Sequence, residues 1–174
     1  MIEGTKIIIR PKKLSDAEDD YKWQSDAELS ALDAMPPFRL SFRDFLDEYI
    51  ILLKRPVYDR IAFAVETPDG KHIGNCVYYN VNNDKSETEI GIMIGERDYW
   101  DQGYGTDTVT TLINYIFQNF KFSRIHLKTL ETNTRAQRCF QKCGLTPYGH
   151  LERNRYKFLL MEITHFRWQE LEKR

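Results

Sequence analysis

Apolar and polar positions change period several times along this chain, and each change marks an element. Lys6-Ile7-Ile8-Ile9-Arg10 is a β-branched run closed by Pro11 and predicts a first strand. Ser15-Asp16-Ala17-Glu18 has the spacing of a capping box and predicts a helix running through Trp23. Pro36-Pro37 breaks the stretch that follows. Phe42, Phe45, Leu46, Tyr49, Leu52 and Leu53 then recur at helical steps, which predicts a second, amphipathic helix ending before Pro56.

From Ile61 the period becomes that of a strand. Ile61 to Thr67 reads as one strand, Pro68-Asp69-Gly70-Lys71 as a turn, and His72 to Val81 as the next strand. Asn82-Asn83-Asp84-Lys85 turns the chain again, and Glu87 to Ile94 completes an antiparallel meander. A glycine-punctuated loop from Trp100 to Thr106 feeds a helix with the apolar stripe Val109, Leu112, Ile113, Ile116, Phe117 and Phe120. Arg124 to Leu130 is a strand, and Asn133 to Lys142 a helix stopped by Gly144. Thr146 to Leu151 and Tyr156 to Ile163 close the pattern as strands before a short terminal helix. The order β-α-α-β-β-β-α-β-α-β-β predicts an α/β (α+β) fold in one domain, residues 1–174. Its central sheet is mixed and mostly antiparallel, with helices on both faces.

Composition narrows the function more than the fold. With 174 residues, 41% hydrophobic and 29% charged, the chain has the balance of a globular domain with a real core. Lys plus Arg is 25 and Asp plus Glu is 26, so there is no basic excess to suggest nucleic acid as a partner. A charged ligand must therefore be recognised by a local patch. The first residues lack the basic segment and apolar core of a signal peptide, and Ile50-Ile51-Leu52-Leu53 is too short to span a bilayer. These features predict a cytoplasmic protein with no membrane partner. Cys139 and Cys143 stand at helical spacing with no His or Cys cluster to complete a ligand set, so they and Cys76 read as packed thiols, with no metal.

The chemical interest lies at Gly103-Tyr104-Gly105-Thr106. Glycines after a strand let backbone N–H groups turn toward a ligand, and a helix N-terminus adds free donors and a positive dipole end. A pyrophosphate suits such a cradle; a tight turn with no ligand suits it equally. A dinucleotide loop fits worse, because the third glycine would fall at Thr108 and the strand before it belongs to a meander. A P-loop fails for want of a following Gly-Lys-Ser/Thr.

The segment Glu89 to Leu145 resembles the acetyl-CoA-binding core of GNAT acetyltransferases. Trp100-Asp101-Gln102-Gly103-Tyr104-Gly105 occupies the Q/R-x-x-G-x-G/A motif of that family. Glu89-Ile90-Gly91-Ile92 with Tyr99-Trp100 upstream of the glycines, and Asn133-Thr134-Arg135-Ala136 with Lys142-Cys143-Gly144-Leu145 downstream, are similar to the RimJ/RimL branch. The resemblance implies an N-acetyltransferase that moves the acetyl group of acetyl-CoA to a primary amine of a protein N-terminus, a polyamine or another small molecule. A homodimer is compatible with it. It also implies that Ile92, Met93 and Ile94 pair with the pantetheine arm. The amides of Gln102, Gly103, Tyr104, Gly105 and Thr106 would hold the pyrophosphate, and Asn133 would lie near the thiol end. Phe140 falls where many relatives place a proton-donating tyrosine, and it has no hydroxyl to give. That vacancy keeps open a catalytically weak acyl-CoA-binding module, and a purely structural domain as well.

Glu89, on the strand of the pantetheine segment, is the candidate base; a salt-bridged strand carboxylate is the ordinary alternative. His72, His126, His150 and His165 are scattered singly and read as packed or surface side chains. The aromatic N-terminal helices would wall the acceptor site by the same resemblance. Asp26, Glu28 and Asp33 there have the charge to attract a cationic amine, and equally make a solvated face.

Overall fold

The computed structural model describes residues 1–36, 38–55, 57 and 59–173. The breaks read at Pro37 and Pro56 lie outside the described residues. Among those described, eight strands form one sheet in the order β1-β2-β3-β4-β5-β6-β8-β7. The strands are β1 (Ile2–Glu3), β2 (Ile8–Pro11), β3 (Arg60–Glu66), β4 (His72–Asn82), β5 (Glu87–Ile94), β6 (Arg124–Leu130), β7 (Thr146–Arg153) and β8 (Tyr156–Thr164). Only the β5–β6 pair is parallel among the described residues; the others run antiparallel, as the meander predicts.

Six helices are described: α1 (Ala17–Gln24), α2 (Ala27–Leu32), α3 (Phe42–Lys54), α4 (Tyr104–Asn119), α5 (Thr134–Lys142) and α6 (His165–Glu172). The apolar stripe of α4, together with Phe140 of α5 and Cys143 just after it, packs on Ile90, Ile125, Leu127, Met161 and Ile163 to make the main core. On the other face a smaller cluster joins Ala17 of α1 to Phe45 and Tyr49 of α3. Asn75 of β4 faces that side too, donating to Asp20 of α1 at 2.6 Å.

Three boundaries differ from the sequence pattern. Ser15 caps no helix; a short turn at Leu14–Asp16 precedes α1, and Asp16 is buried. Its carboxylate grips Arg10 with two bonds of 2.8 Å and accepts the Lys13 N–H at 2.8 Å. A separate α2 follows, capped by Asp26, whose Oδ1 accepts from the Glu28 and Leu29 N–H groups at 3.0 Å each. Helix α4 begins inside the glycine segment: Tyr104, Gly105 and Thr106 form its first turn rather than the loop before it. Among the described residues no helix is long and apolar enough to cross a membrane, and no group of three His, Cys, Asp or Glu could hold a metal ion.

Candidate active site

The β5–β6 ladder stops early. Its pairs are Glu87 with Arg124, Thr88 with Ile125 and Glu89 with His126; beyond them β6 continues to Leu130 against β8 alone. The β6-facing edge of β5 from Ile90 to Ile94 is thus left without a strand partner, and its polar backbone groups are open to a ligand. From Glu89 to Ile94 that edge runs roughly 17 Å at the rise of a strand.

At the Ile94 end of this edge sits the start of α4. Gly103 precedes the helix at φ +87°, in the left-handed region that glycine occupies without strain. No side chain caps α4, and the N–H groups of Tyr104, Gly105 and Thr106 meet no acceptor among the described residues. Such donors, with the helix dipole behind them, favour an anion. Gly105 gives a further sign. A Cβ there would lie 3.6 Å from Cys139 Sγ and 3.8 Å from Ile94 Cγ1, which is ordinary contact. Protein packing does not demand glycine at this place.

A cleft of about 520 Å³ follows the free edge, in the range of small-molecule sites. Ile92, Met93, Ile94, Gly103, Gly105, Thr106, Asn133 and Phe140, all read from the sequence, line it. Gln102 and Tyr104 do not. The Gln102 side chain donates to the Asp98 carbonyl, and the Gln102 backbone carbonyl accepts from Lys6 Nζ at 2.9 Å. The Tyr104 ring packs edge-on against Tyr99. Asn133 caps α5 by accepting the Ala136 N–H at 3.2 Å, and Phe140 is only 6% exposed, held in the core.

Some lining residues were not read from the sequence. Arg135, Arg138 and Lys142 present a basic wall from α5. Their steps of three and four residues are the signal that could have found them. Trp100 donates its indole N–H to the Ile94 carbonyl at 2.7 Å, and the Arg135 guanidinium lies 3.5 Å from its ring centroid. Nothing in the sequence announces that stack. Cys139 and Cys143 clip α5 to the first turn of α4. Thr106 Oγ1 donates to Cys139 Sγ at 3.6 Å, and Cys143 Sγ donates to the Thr106 carbonyl at 3.5 Å.

Glu89 stands at the point where β5 and β6 part, on the face opposite Ile90 and Ile92. Its carboxylate accepts from Tyr79 Oη at 2.6 Å, Asn80 Nδ2 at 2.9 Å and Lys128 Nζ at 2.6 Å. Asn80 reaches it from an irregularity in β4, where φ is +51°. Burial pushes the Glu89 pKa up, but the bonds from Lys128, Tyr79 and Asn80 outweigh it and hold the group below the usual carboxylate range. Glu89 is not among the residues that line the cleft. Of the histidines, His72 is 9% exposed and bonded to Asp19, whereas His126 sits beside Glu89 with its pKa lowered by burial.

The acidic trio of the N-terminal helices divides. Arg97 takes Asp26 at 2.9 Å and Glu28 at 2.7 Å. Asp33, which follows α2, lines the cleft; its N–H closes the helix on the Leu29 carbonyl at 3.1 Å, and its carboxylate has no hydrogen-bond or ion-pair partner among the described residues.

Comparison with known proteins agrees with this geometry. Residues 6–146 match the acetyltransferase (GNAT) domain. An uncharacterized N-acetyltransferase, p20, of Bacillus licheniformis is 27% identical over 147 residues, covering 80% of this chain and 82% of that protein. The crystal structure of spermidine N-acetyltransferase from Vibrio cholerae, in complex with CoA and spermine, superposes with a TM-score of 0.83 at 17% identity, covering 95% of this chain and 99% of that one. The aminoglycoside acetyltransferase AAC(6')-Ib, in complex with coenzyme A, does so with a TM-score of 0.78 at 17% identity and the same two coverages. With its sheet parted beside an uncapped helix start and most of its length matched, the chain belongs to the GNAT acetyltransferase family, whose acetyl donor is acetyl-CoA.

Proposed function

We propose that this chain acetylates a primary amine of a small, cationic acceptor, as a member of the RimJ/RimL-like branch. The observation that carries the reading is the parting of β5 and β6 at Glu89, which leaves an unpaired strand edge leading from the α4 N-terminus into the cleft. The donor, when bound, supplies a thioester carbonyl that an amine can attack.

In this reading Ile92, Met93 and Ile94 give backbone partners to the pantetheine amides, as an added strand would. The free N–H groups of Tyr104, Gly105 and Thr106, beside Gly103, hold the pyrophosphate, and Arg135, Arg138 and Lys142 balance its charge. Gln102 acts by shaping the loop through its bond to Asp98. Asn133 and Phe140 wall the donor from the α5 side, so that the two reactants meet in a fixed geometry.

The attacking amine must be neutral. A lysine-like amine has a pKa near about 10.4, so a proton has to leave it. Glu89 already carries three donors, with a pKa below the ordinary range, and so is a poor direct acceptor. We assign it the positioning of Lys128 and Tyr79 at the mouth of the split, with water taking the amine proton. Phe140 cannot protonate the departing thiolate; solvent does so.

The test is thiol release from acetyl-CoA with a panel of polyamines, aminoglycosides, simple amines and a short peptide with a free N-terminus. Release with the small cationic amines is expected. Release with the peptide alone would make this a protein N-terminal acetyltransferase. Stabilisation against heat by acetyl-CoA with no release from any amine would make it a binding module instead.

A further inference from the structure

Two thiols meet the start of α4, and the reaction above uses neither. Cys139 lines the cleft and is half-buried, whereas Cys143 is buried. Both touch Thr106: its hydroxyl donates to Cys139 Sγ at 3.6 Å, and its carbonyl accepts from Cys143 Sγ at 3.5 Å. A methyl on Gly105 would also lie 3.6 Å from Cys139 Sγ. The Cys139 sulfur thus borders two of the residues whose N–H groups meet no acceptor at the start of α4. It stands against the place read above as the pyrophosphate cradle.

The groups around that sulfur favour a negative charge on it. Arg135 and Lys142, four residues before it and three after, share its helix face and line the same cleft. A cysteine beside cations and a helix N-terminus ionises more readily than a free one. The Cys143 thiol holds the Cys139 pKa below the ordinary thiol value; burial opposes this, and the Thr106 hydroxyl adds to it. Cys143 keeps its proton, since the neighbouring sulfur and burial both raise its pKa. Cys76, the third thiol, is buried in the core, where burial pushes its pKa up.

We propose that Cys139 is a modification site for anionic low-molecular-weight disulfides, and that the mixed disulfide it forms fills the phosphate cradle and excludes the donor. This rests on the cradle reading above and adds to it a covalent competitor for the same place. The Cys139 thiolate attacks one sulfur of the reagent, and a new S–S bond forms as the old one breaks. The other half leaves as a thiolate and takes a proton from water, so Cys139 is oxidised and the reagent reduced by two electrons. Arg135, Arg138 and Lys142 give the carboxylates of such a reagent a cationic wall. Cys143 does not displace the adduct while its turn is intact. Helix positions four apart hold their Cβ atoms about 5–6 Å from each other, and a disulfide needs about 3.5–4.5 Å.

The experiment treats the whole reduced chain with oxidised glutathione at neutral pH, with and without acetyl-CoA, which has no free thiol of its own. Intact mass and peptide mapping read the adduct, and calorimetry reads acetyl-CoA affinity before modification, after it, and after reduction with dithiothreitol. One glutathione on Cys139 is expected, with Cys76 and Cys143 left as thiols. Acetyl-CoA at about a hundred times its Kd should slow the reaction roughly tenfold or more, because it binds only the unmodified site. The adduct should raise the Kd for acetyl-CoA at least about tenfold, and dithiothreitol should restore it. Cys139→Ser should take no adduct, whereas Cys143→Ser should still take one. No adduct on Cys139 under conditions that fully modify N-acetylcysteine overturns the proposal. Loss of two thiols without added mass, equal rates with and without acetyl-CoA, or unchanged affinity in the adduct also overturns it. If Cys139→Ser does not fold, peptide mapping of the unaltered protein decides the site. If the unaltered protein binds no acetyl-CoA, the cradle reading fails by itself. Mapping still judges the thiol: glutathione on Cys139 upholds the modification site, and its absence refutes it.

Discussion

Replacing Gly105 with alanine should move stability and cofactor affinity in opposite directions. The new methyl would meet Cys139 Sγ at 3.6 Å and Ile94 Cγ1 at 3.8 Å, so nothing in the fold must shift. Gly105 is helical, in the first turn of α4, where alanine is preferred and also narrows the unfolded ensemble. The expected gain is about 0.4–1 kcal/mol, or roughly 1–4 °C in Tm for a chain of this size. The ligand meets the opposite effect. A phosphate oxygen bonded to these N–H groups sits at about 2.9 Å, and a methyl beside them pushes it out of hydrogen-bond range. Losing one bond to a charged group removes about 1.5–3 kcal/mol, so the Kd for acetyl-CoA should rise roughly 10- to 100-fold. Gly105→Val adds a stiff branch at the same place and should weaken binding further. Calorimetric titration and thermal unfolding of the ligand-free protein read the two effects separately. A folded Gly105→Val protein that binds acetyl-CoA within about twofold of the original would refute the cradle.

Phe140→Tyr should fold, keep its affinity for acetyl-CoA and raise turnover, and unchanged turnover at saturating amine would mean that the thiolate leaves without help. Phe140→Leu should lower stability by about 1–2 kcal/mol and weaken acetyl-CoA binding, since the ring both fills the core and lines the cleft; denaturation and affinity both unaltered would end that assignment. Glu89→Gln should lose about 1–3 kcal/mol in urea unfolding, because an amide cannot satisfy three donors and the charge of Lys128. Its turnover should drop evenly across pH, and a loss confined to low pH would restore Glu89 as the base. For Asp16, burial pushes the pKa up, but Arg10 and the Lys13 N–H, aided by the fields of His72 and Lys12, hold it below the ordinary value. Its contribution to stability is therefore complete above about pH 4 and lost as pH falls through the depressed folded value. Urea midpoints between neutral pH and about pH 2 should fall less steeply in Asp16→Asn, and an identical slope would show that the linkage lies elsewhere.

What could be read without coordinates was what repeats locally. The stripe of α4 and the alternation of β3 to β5 state their elements outright, because the core imposes their periods. Helix α2 escaped because six residues hold less than two helical turns, and its cap, Asp26, looks like any surface acid. The short β1 escaped for a different reason. The loop joining it to β2 is held by Asp107, whose carboxylate accepts the N–H groups of Thr5, Lys6 and Ile7 from about a hundred positions away.

The same distinction divides the site. The glycines were legible, since a motif is a local statement, whereas the strand edge was available only through the family resemblance, because the ladder that stops there joins Glu87–Glu89 to the distant Arg124–His126. The charges were not. Asp26, Glu28 and Asp33 are alike in the sequence, and they separate only because Arg97, some seventy residues on, pairs with the first two. Glu89 likewise changes meaning through Lys128, thirty-nine positions downstream. A carboxylate's chemistry is set by what neutralises it, and in this fold the neutralising groups come from other elements. Glu89, the acid that sequence singled out, is already satisfied; Asp33, grouped there with Asp26 and Glu28, lines the cleft with a carboxylate that has no partner among the described residues.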